Sequence, residues 1–266
     1  MNNHRLDFEC ENLGNGIFRI NEFDFVNAFL VVGDEKAALL DCGVGIGQLR
    51  EFAETLTDKP IIVLVTHAHA DHDGGAVWFK EIYIHPLDKR ISEFDQTAAA
   101  RIYFLHQHPY KRKTHKVRFS DAFQKEFTPV RHDLNEGDTF DLGGRVIETF
   151  FTPGHTAGHV TFRDSLTGAL FTGDNVNPLV TLQFPGAVSL EEWRESAVRT
   201  LLLADGKPIF GGHGDGRIPA QVIEANIALA DEILTQSNEE KGTVKKKTAG
   251  EKLPAVVYKT DKIHKK

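Results

Sequence analysis

The chain has 266 residues, of which 41% are hydrophobic, and this suits one large domain or two small ones with a sizeable core. The formal net charge of −7 argues against a general nucleic-acid-binding protein, because the binding face of such proteins is usually basic. The cysteines Cys10 and Cys42 do not indicate a disulfide framework. The N-terminus carries no apolar signal segment, and the apolar run 61–65 is far too short to span a membrane. We therefore expect a cytoplasmic protein that does not enter the membrane.

The first part of the chain alternates short strand-like runs with turns. Strands are predicted over 17–20, 26–32, 37–40 and 61–65, and a helix over 48–56. The run 61–65 contains only β-branched residues and leucine, which is typical of a strand buried on both faces. It ends at Thr66, and a histidine cluster follows at once. The cluster is therefore predicted to lie on a loop at the end of a buried strand, where α/β scaffolds commonly present their chemistry.

Residues 87–125 differ in character from the segments around them. They lack strand alternation and mix arginine and lysine with aromatic residues, so we predict a helical insertion. One interpretation is a solvated helical face. The other is a wall of the pocket mouth, where the basic side chains would favour an anionic substrate.

Strand signals return over 146–151, 159–163, 169–172 and 208–210, and amphipathic patterns predict helices over 190–203 and 222–234. From residue 237 the chain is rich in lysine, with nine lysines and four acidic residues. We predict a domain over 1–236 and a solvated Lys-rich tail over 237–266. A docking element for an acidic partner is the alternative interpretation of the tail.

The histidine cluster has the form HxHxDH, where x is any residue. Its specified positions are His67, His69, Asp71 and His72. Imidazole and carboxylate groups suit zinc and its first-row neighbours. A loop can aim its first two histidines at one ion and its last two ligands at a second ion nearby. A chance match to this pattern is rare enough that the motif indicates a metal site.

Three further potential ligands follow predicted strands in a definite order. They are His155 in PGHT, Asp174 in TGD and His213 in GGHG. Each lies on a turn that contains glycine, which lets the backbone approach an ion closely and adopt the conformations that aim the side chain. Seven such residues at strand ends are hard to reconcile with purely structural roles.

This ordered set of motifs, over residues from about 25 to 215, resembles the metallo-β-lactamase superfamily. The resemblance implies an α+β fold, a four-layer αββα sandwich with the metals at one edge of two facing sheets. It assigns His67, His69 and His155 to a first metal, Asp71, His72 and His213 to a second, and Asp174 to a bridge between them. Because every ligand position is filled, the chain resembles the glyoxalase II, lactonase and phosphodiesterase branches more than the lactamases proper.

The metal set predicts a binuclear hydrolase. Two divalent ions can share a water molecule, lower its pKa towards 7 and present hydroxide to a substrate. Zinc is the expected ion, with iron and manganese as alternatives. Asp71 is predicted to orient the hydroxide and later to take its proton, so no serine or cysteine nucleophile is needed. The expected substrate is a small acyl compound: a thioester, a lactone or a similar ester.

Other functions stay open from the sequence. Glyoxalase II itself is disfavoured. A resemblance to that family would imply a longer helical C-terminal region, whereas one helix and a Lys-rich tail follow His213 here. A persulfide dioxygenase would hold one iron through His67, His155 and Asp174. A phosphodiesterase would use the basic insertion, although the overall acidity makes nucleic acid an unexpected partner. The sequence does not decide the oligomeric state.

Overall fold

The computed structural model describes residues 8–107, 119–236, 243–250 and 252–265. Its largest sheet contains seven strands in chain order: β1 (Glu9–Gly14), β2 (Ile17–Glu22), β3 (Val26–Val32), β4 (Ala37–Leu40), β5 (Ile61–Leu64), β6 (Glu81–Ile84) and β7 (Val130–Asp133). The first four strands run antiparallel, and β4 to β7 are parallel. Because β5 is central and parallel to its neighbours, the loop that follows it emerges at the carboxyl edge of the sheet.

A second sheet has five strands. They are β8 (Thr139–Asp141), β9 (Val146–Phe151), β10 (Val160–Asp164), β11 (Leu170–Phe171) and β13 (Ile209–Phe210), in the spatial order β13-β11-β10-β9-β8. The strand between β11 and β13 in the chain, β12 (Leu179–Thr181), belongs to a third sheet. The PGHT turn follows β9, the TGD turn follows β11 and the GGHG turn follows β13. The second sheet therefore supplies three separate loops to one edge.

The two large sheets pack face to face through alternating apolar residues. Val31, Leu40 and Leu64 of the first sheet share a buried cluster with Phe162 and Phe171 of the second. The opposite face of the first sheet packs against α1 (Leu49–Ala53) and a 3₁₀ helix (Gly74–Trp78), while the opposite face of the second packs against α4 (Leu190–Ala204) and α5 (Ala220–Thr235). The four-layer αββα sandwich expected from the sequence is thereby confirmed.

The helical insertion is confirmed for the residues that the structure describes. It contains α2 (Lys89–Asp95), α3 (Ala98–Gln107) and a 3₁₀ helix (Phe119–Phe123), and residues 108–118 lie outside the described part. Ala98 and Ile102 of α3 pack against the cluster of Phe23, Phe25 and Val44. The insertion therefore supports the hairpin that joins β2 to β3.

The Lys-rich tail is not simply solvated. Its described residues form β14 (Val244–Thr248) and β15 (Ala255–Lys259), and β15 pairs with β12 in parallel and with β14 in antiparallel orientation. Val256 and Tyr258 of β15 are buried in the cluster formed with α4 and α5. The expectation of a solvated tail was wrong here, because the short apolar run in β15 outweighs the lysines around it.

The short strands were the hardest to predict. The sequence analysis missed β1, β6, β7, β8 and β12, which have at most six residues each. The helix predicted over 48–56 is reduced to the five residues of α1. No helix in the described ranges combines the length and apolar character that a membrane span requires.

Candidate metal centre

All seven residues predicted from the motifs lie on loops at one edge of the sandwich. They form two groups, and within each group one ligand atom per residue lies within 4.8 Å of the others. The first group is His67, His69 and His155; the second is Asp71, His72, Asp174 and His213. The grouping coincides with the two ligand sets that the family resemblance implied, with Asp174 placed in the second set.

The first group is built from neutral donors and is almost entirely buried. His67, His69 and His155 are 0%, 7% and 2% exposed. The Nδ1 atom of His69 lies 2.8 Å from the Nε2 atom of His155. The Nε2 atom of His67 is buried without a hydrogen-bond partner among the described residues. Three buried imidazole rings thus converge on one point, and the contact between His69 and His155 does not involve the Nε2 atom of His67.

The second group contains two carboxylates and is more open to solvent. Asp174 Oδ2 lies 3.0 Å from His213 Nε2, and Asp174 Oδ1 lies 3.3 Å from His72 Nε2. Asp71 Oδ2 lies 3.5 Å from His213 Nε2 and 3.8 Å from His72 Nε2. The side chain of His213 is 24% exposed, so the centre opens to solvent on this side.

Asp174 lies between the two groups. Its Oδ2 atom is 3.8 Å from His155 Nε2 of the first group and 3.0 Å from His213 Nε2 of the second. The backbone nearby leaves no room for a side chain: a Cβ atom at Gly212 would lie 2.5 Å from both Asp174 Oδ1 and His72 Cε1. Glycine at position 212 is therefore needed for the close approach of these loops.

Hydrogen bonds on the Nδ1 side orient most of the rings. His72 Nδ1 lies 2.9 Å from Asp41 Oδ2, His155 Nδ1 lies 2.7 Å from the Thr181 carbonyl, and His213 Nδ1 lies 2.8 Å from the Phe25 carbonyl. A carbonyl or carboxylate oxygen accepts, so each Nδ1 carries a proton and each Nε2 is the ring nitrogen left to face the centre. This is the usual way in which proteins fix the tautomer of metal-binding histidines.

The two groups differ in electrostatics. Burial, together with the neighbouring histidines, holds the pKa values of His67 and His69 well below the ordinary range. Burial also opposes protonation of His72, but the carboxylates of Asp174, Asp71 and Asp41 outweigh it and hold the pKa of His72 well above its usual value. In the protein alone, the first group is therefore neutral and the second is a set of ion pairs.

The residues present fit divalent metal ions. A buried imidazole nitrogen that has no hydrogen-bond partner among the described residues, as at His67 Nε2, is costly unless a cation binds it. Three histidines form one donor set, and two histidines with two carboxylates form the other, both of the kinds that zinc and related ions accept. The carboxylate between the groups can contact ions in both.

Two other buried residues, His159 and Cys42, lie beside the centre. His159 is fully buried and stacks on His67 with ring centroids 5.1 Å apart, and it belongs to neither group. Cys42 is fully buried, and its Sγ atom lies 3.3 Å from the His72 carbonyl. Burial raises the pKa of the Cys42 thiol well above its ordinary value. Cys42 is therefore a small buried residue of the core.

The basic residues of the insertion are only partly described. Arg101, counted among them, is 2% exposed and donates to the Gly45 carbonyl at 3.0 Å. It therefore contributes to the packing of the insertion and does not line the opening of the centre. Several of the other basic residues fall in 108–118, outside the described ranges.

Sequence reasoning missed several residues around the centre. Asp41 accepts hydrogen bonds from Thr66 N at 2.7 Å and faces His72; an acidic residue directly after a buried strand was the signal available. Phe184 is 38% exposed, and its ring lies 5.7 Å from that of His69 and 5.8 Å from that of His155. The metal motifs gave no signal for Phe184.

The β2–β3 hairpin reaches the second group through its tip. Phe25 N donates to the Glu22 carbonyl at 3.1 Å across a turn in which Phe23 and Asp24 have φ values of 60° and 62°. Positive φ is unfavourable for a bulky residue such as Phe23, so the turn depends on its burial in the cluster with α3. On the other side of the hairpin, Asn27 N donates to the Gly212 carbonyl at 2.7 Å. The hairpin thus holds the loop that carries His213.

Known proteins resemble this chain in sequence and in fold. Acyl-coenzyme A thioesterase MBLAC2 of Homo sapiens is 27% identical over 184 residues, which are 62% of this chain and 65% of that protein. Hydroxyacylglutathione hydrolase GloC of Haemophilus influenzae is 29% identical over 198 residues, 71% of this chain and 85% of that protein. A metallo-β-lactamase structure from Pontibacter korlensis covers 84% of this chain and 98% of its own, with a TM-score of 0.62 and 19% identity.

The matches cover different shares of the chains that are compared. The chain spans about 65% of the length of the human relative, and the structural likeness at 19% identity concerns the fold alone. The family model described as the metallo-beta-lactamase superfamily matches residues 21–213, a range that contains every residue of both groups. The chain belongs to the metallo-β-lactamase superfamily.

Proposed function

We propose that this protein is a binuclear metal-dependent hydrolase that cleaves thioesters. The observation that carries the proposal is the complete set of seven ligand-type residues, gathered in two adjacent groups at one edge of the fold. Two relatives with substantial coverage support the substrate class, since one is named an acyl-coenzyme A thioesterase and the other a hydroxyacylglutathione hydrolase. Both names describe cleavage of an acyl–sulfur bond, which narrows the acyl substrates considered from the sequence.

In this proposal, His67, His69 and His155 would hold one ion and Asp71, His72 and His213 the other, with Asp174 available to both. When bound, such ions lower the pKa of water and polarise a carbonyl oxygen. Zinc is the proposed ion, with manganese and iron as the alternatives that the same donors accept. Metal analysis of the protein as purified identifies the ions.

The protein's own side chains have distinct tasks in this reaction. Asp71 Oδ2 lies 3.5 Å from the partly exposed His213 Nε2, where it can orient the attacking water and accept its proton. Phe184 covers the rings of His69 and His155 and offers an apolar surface to the acyl group. The water oxygen bonds to the acyl carbon, the carbon–sulfur bond breaks, and the leaving sulfur takes up the proton that Asp71 accepted. Because water attacks the acyl carbon directly, no covalent acyl-enzyme is required.

The experiment is a thiol-release assay with a matched panel. Purified protein is given acyl-coenzyme A thioesters, acylglutathiones, a lactone and a phosphodiester, and the free thiol or the corresponding product is measured. We expect thioester cleavage that is abolished by a chelator and restored by the metal. Cleavage of only the lactone or the phosphodiester would contradict the proposal.

A one-iron persulfide dioxygenase is the alternative, and the geometry favours it less. It would use His67, His155 and Asp174, and would leave Asp71, His72 and His213 without a metal to bind. Oxygen consumption with a persulfide, combined with one iron per chain, would establish the alternative in place of the hydrolase.

A further inference from the structure

Asp88 connects two loops that carry ligands of the first group. It ends the short 3₁₀ helix Pro86–Asp88 after β6 and is fully buried. Its Oδ2 atom accepts from Ala68 N at 2.9 Å and from Thr156 Oγ1 at 2.6 Å. Its Oδ1 atom accepts from Gly158 N at 2.8 Å. Ala68 lies between His67 and His69, and Thr156 directly follows His155.

We propose that Asp88 is a positioning residue that sets the distance between the HxH loop and the PGHT loop, and through it the metal affinity of the first group. The inference rests on the metal centre in the proposed function. Asp88 touches none of the three histidines in the contacts above; it acts through the backbone on either side of them. Nothing in the metal motifs themselves requires an acidic residue at this position.

The contacts at Asp88 are those of a carboxylate fixed in one place. Three donors from two loops converge on it, and hydrogen bonds to an ionised acceptor are about twice as strong as neutral ones. Asp88 is the N-cap residue of α2 but makes no side-chain capping bond, because its carboxylate faces the two loops. The space is also closed: a Cβ atom at Gly158 would lie 2.5 Å from Asp88 Oδ1.

The two loops come from different sheets, so their spacing depends on contacts such as those of Asp88. The PGHT loop comes from the second sheet and the HxH loop from the first, so their ligands are joined only by contacts across the sandwich edge. His69 Nδ1 and His155 Nε2 lie 2.8 Å apart, one from each loop. A small shift of either loop changes the distance between donors, and metal affinity depends on such outer contacts by about 10- to 100-fold.

The test measures zinc affinity directly, independently of any substrate. Metal-free protein is titrated with Zn²⁺ against a competing chelator, and the two binding steps are resolved. In Asp88→Asn, one acceptor oxygen becomes an amino group that faces a donor. We expect the affinity of one of the two binding steps to fall by about 10- to 100-fold and the other to change by less than threefold.

A matched control separates positioning from general stability. Asp164 is likewise fully buried and is held by Arg145 at 2.8 Å, but it lies on β10, outside both groups. Asp164→Asn is expected to lower the melting temperature and to leave both zinc affinities unchanged. Equal losses of zinc affinity in Asp88→Asn and Asp164→Asn would overturn the inference, as would unchanged affinity in Asp88→Asn.

A second pair of variants covers the case in which Asp88→Asn fails to fold. Thr156→Val removes one donor to Asp88, and Thr156→Ser keeps the hydroxyl. We expect Thr156→Val to lose zinc affinity in one of the two binding steps, and Thr156→Ser to keep the wild-type affinity in both. Equal zinc affinities for the two Thr156 variants would refute the positioning role of Asp88. Because zinc affinity is the readout, this result is independent of the thioester assay. Inactivity towards thioesters would reject the proposed substrate class but would not affect the inference about Asp88.

Discussion

The two ligand groups are held in contrasting ways. The first consists of three buried histidines between loops fixed by backbone contacts, such as the Thr181 carbonyl on His155 and the Asp88 carboxylate on both loops. The second has two carboxylates, is partly exposed and leans on the tip of the β2–β3 hairpin through the Phe25 carbonyl. The first group is therefore held by the packed sandwich, and the second by the β2–β3 hairpin on the more exposed side of the centre.

The largest expected effect comes from removing one ligand of each group. His67→Ala and His213→Ala should each reduce bound metal from two ions to one and lower thioester turnover by about 10³-fold, since each ion contributes several kcal/mol. Metal analysis and the thiol-release assay measure both quantities. His132→Ala, at a partly exposed histidine paired with Glu81, is the control and should retain full activity. Full activity of His213→Ala would show that the second group is not needed.

A smaller effect is expected from the support behind the second group. Asp41→Asn weakens the hydrogen bonds to His72 Nδ1 and Thr66 N, and asparagine tolerates the φ of 62° at this position. We expect metal affinity to fall by about 10- to 100-fold, as measured by chelator competition. Asp133→Asn, at an exposed ion pair with Lys89, serves as the control. Unchanged affinity would mean that His72 needs no orienting partner.

Glu22, at the end of β2, is expected to make the free energy of unfolding depend on pH. Burial raises the pKa of Glu22 from 4.5 to about 7, although backbone N–H groups of Gly47 and Val44 and the charge of Arg101 favour the ionised form. The folded state therefore retains a proton that the unfolded state loses above pH 4.5. This contribution is fully present below pH 4.5 and is lost as the pH rises through about 7, with a total on the order of 3 kcal/mol.

Glu22→Gln tests this sign. The free energy of unfolding is measured by urea denaturation of metal-free wild type and variant at pH 5 and pH 8. We expect the wild type to lose stability relative to the variant between these values, because the other titrating groups are common to both. A difference between the two proteins that stays constant with pH would contradict the assignment.

The smallest expected effect concerns substrate binding beside the first group. Phe184→Ala removes the exposed ring that lies against His69 and His155. We expect KM for thioesters with apolar acyl groups to rise roughly 3- to 10-fold, with a smaller change in kcat. Steady-state kinetics over a series of acyl lengths measures this. Leu202→Ala, at a residue of α4 that is 75% exposed, is the control. An equal rise in KM for every acyl length would place Phe184 outside the acyl-binding surface.

The ligand loops were predictable because their chemistry is local. Each candidate ligand lies on a loop that follows a strand, and His155, Asp174 and His213 are also next to a glycine; both features are visible in the sequence. The supporting groups were not predictable, because they come from far along the chain. Asp88 is 68 residues from Thr156, and the Thr181 carbonyl that holds His155 could belong to any residue type.

The C-terminal strands show the same limit at the level of the fold. Charge counting over 237–266 predicted solvation, but the pairing of β15 with β12 depends on a partner strand that lies about 75 residues earlier. This pairing also braces the strand that contains Thr181. A short apolar run among lysines becomes a strand only when a complementary edge is present, and a local pattern does not show that edge.

The most direct test of the central claim is the number of metal ions per chain in protein purified without added metal, measured by mass spectrometry of the metals alongside thiol release from a thioester. The account predicts close to two divalent ions per chain, with zinc foremost, and thioester cleavage that rises with metal content until the second ion is bound. One iron per chain, retained when His72 and His213 are replaced and accompanied by oxygen uptake, would contradict it.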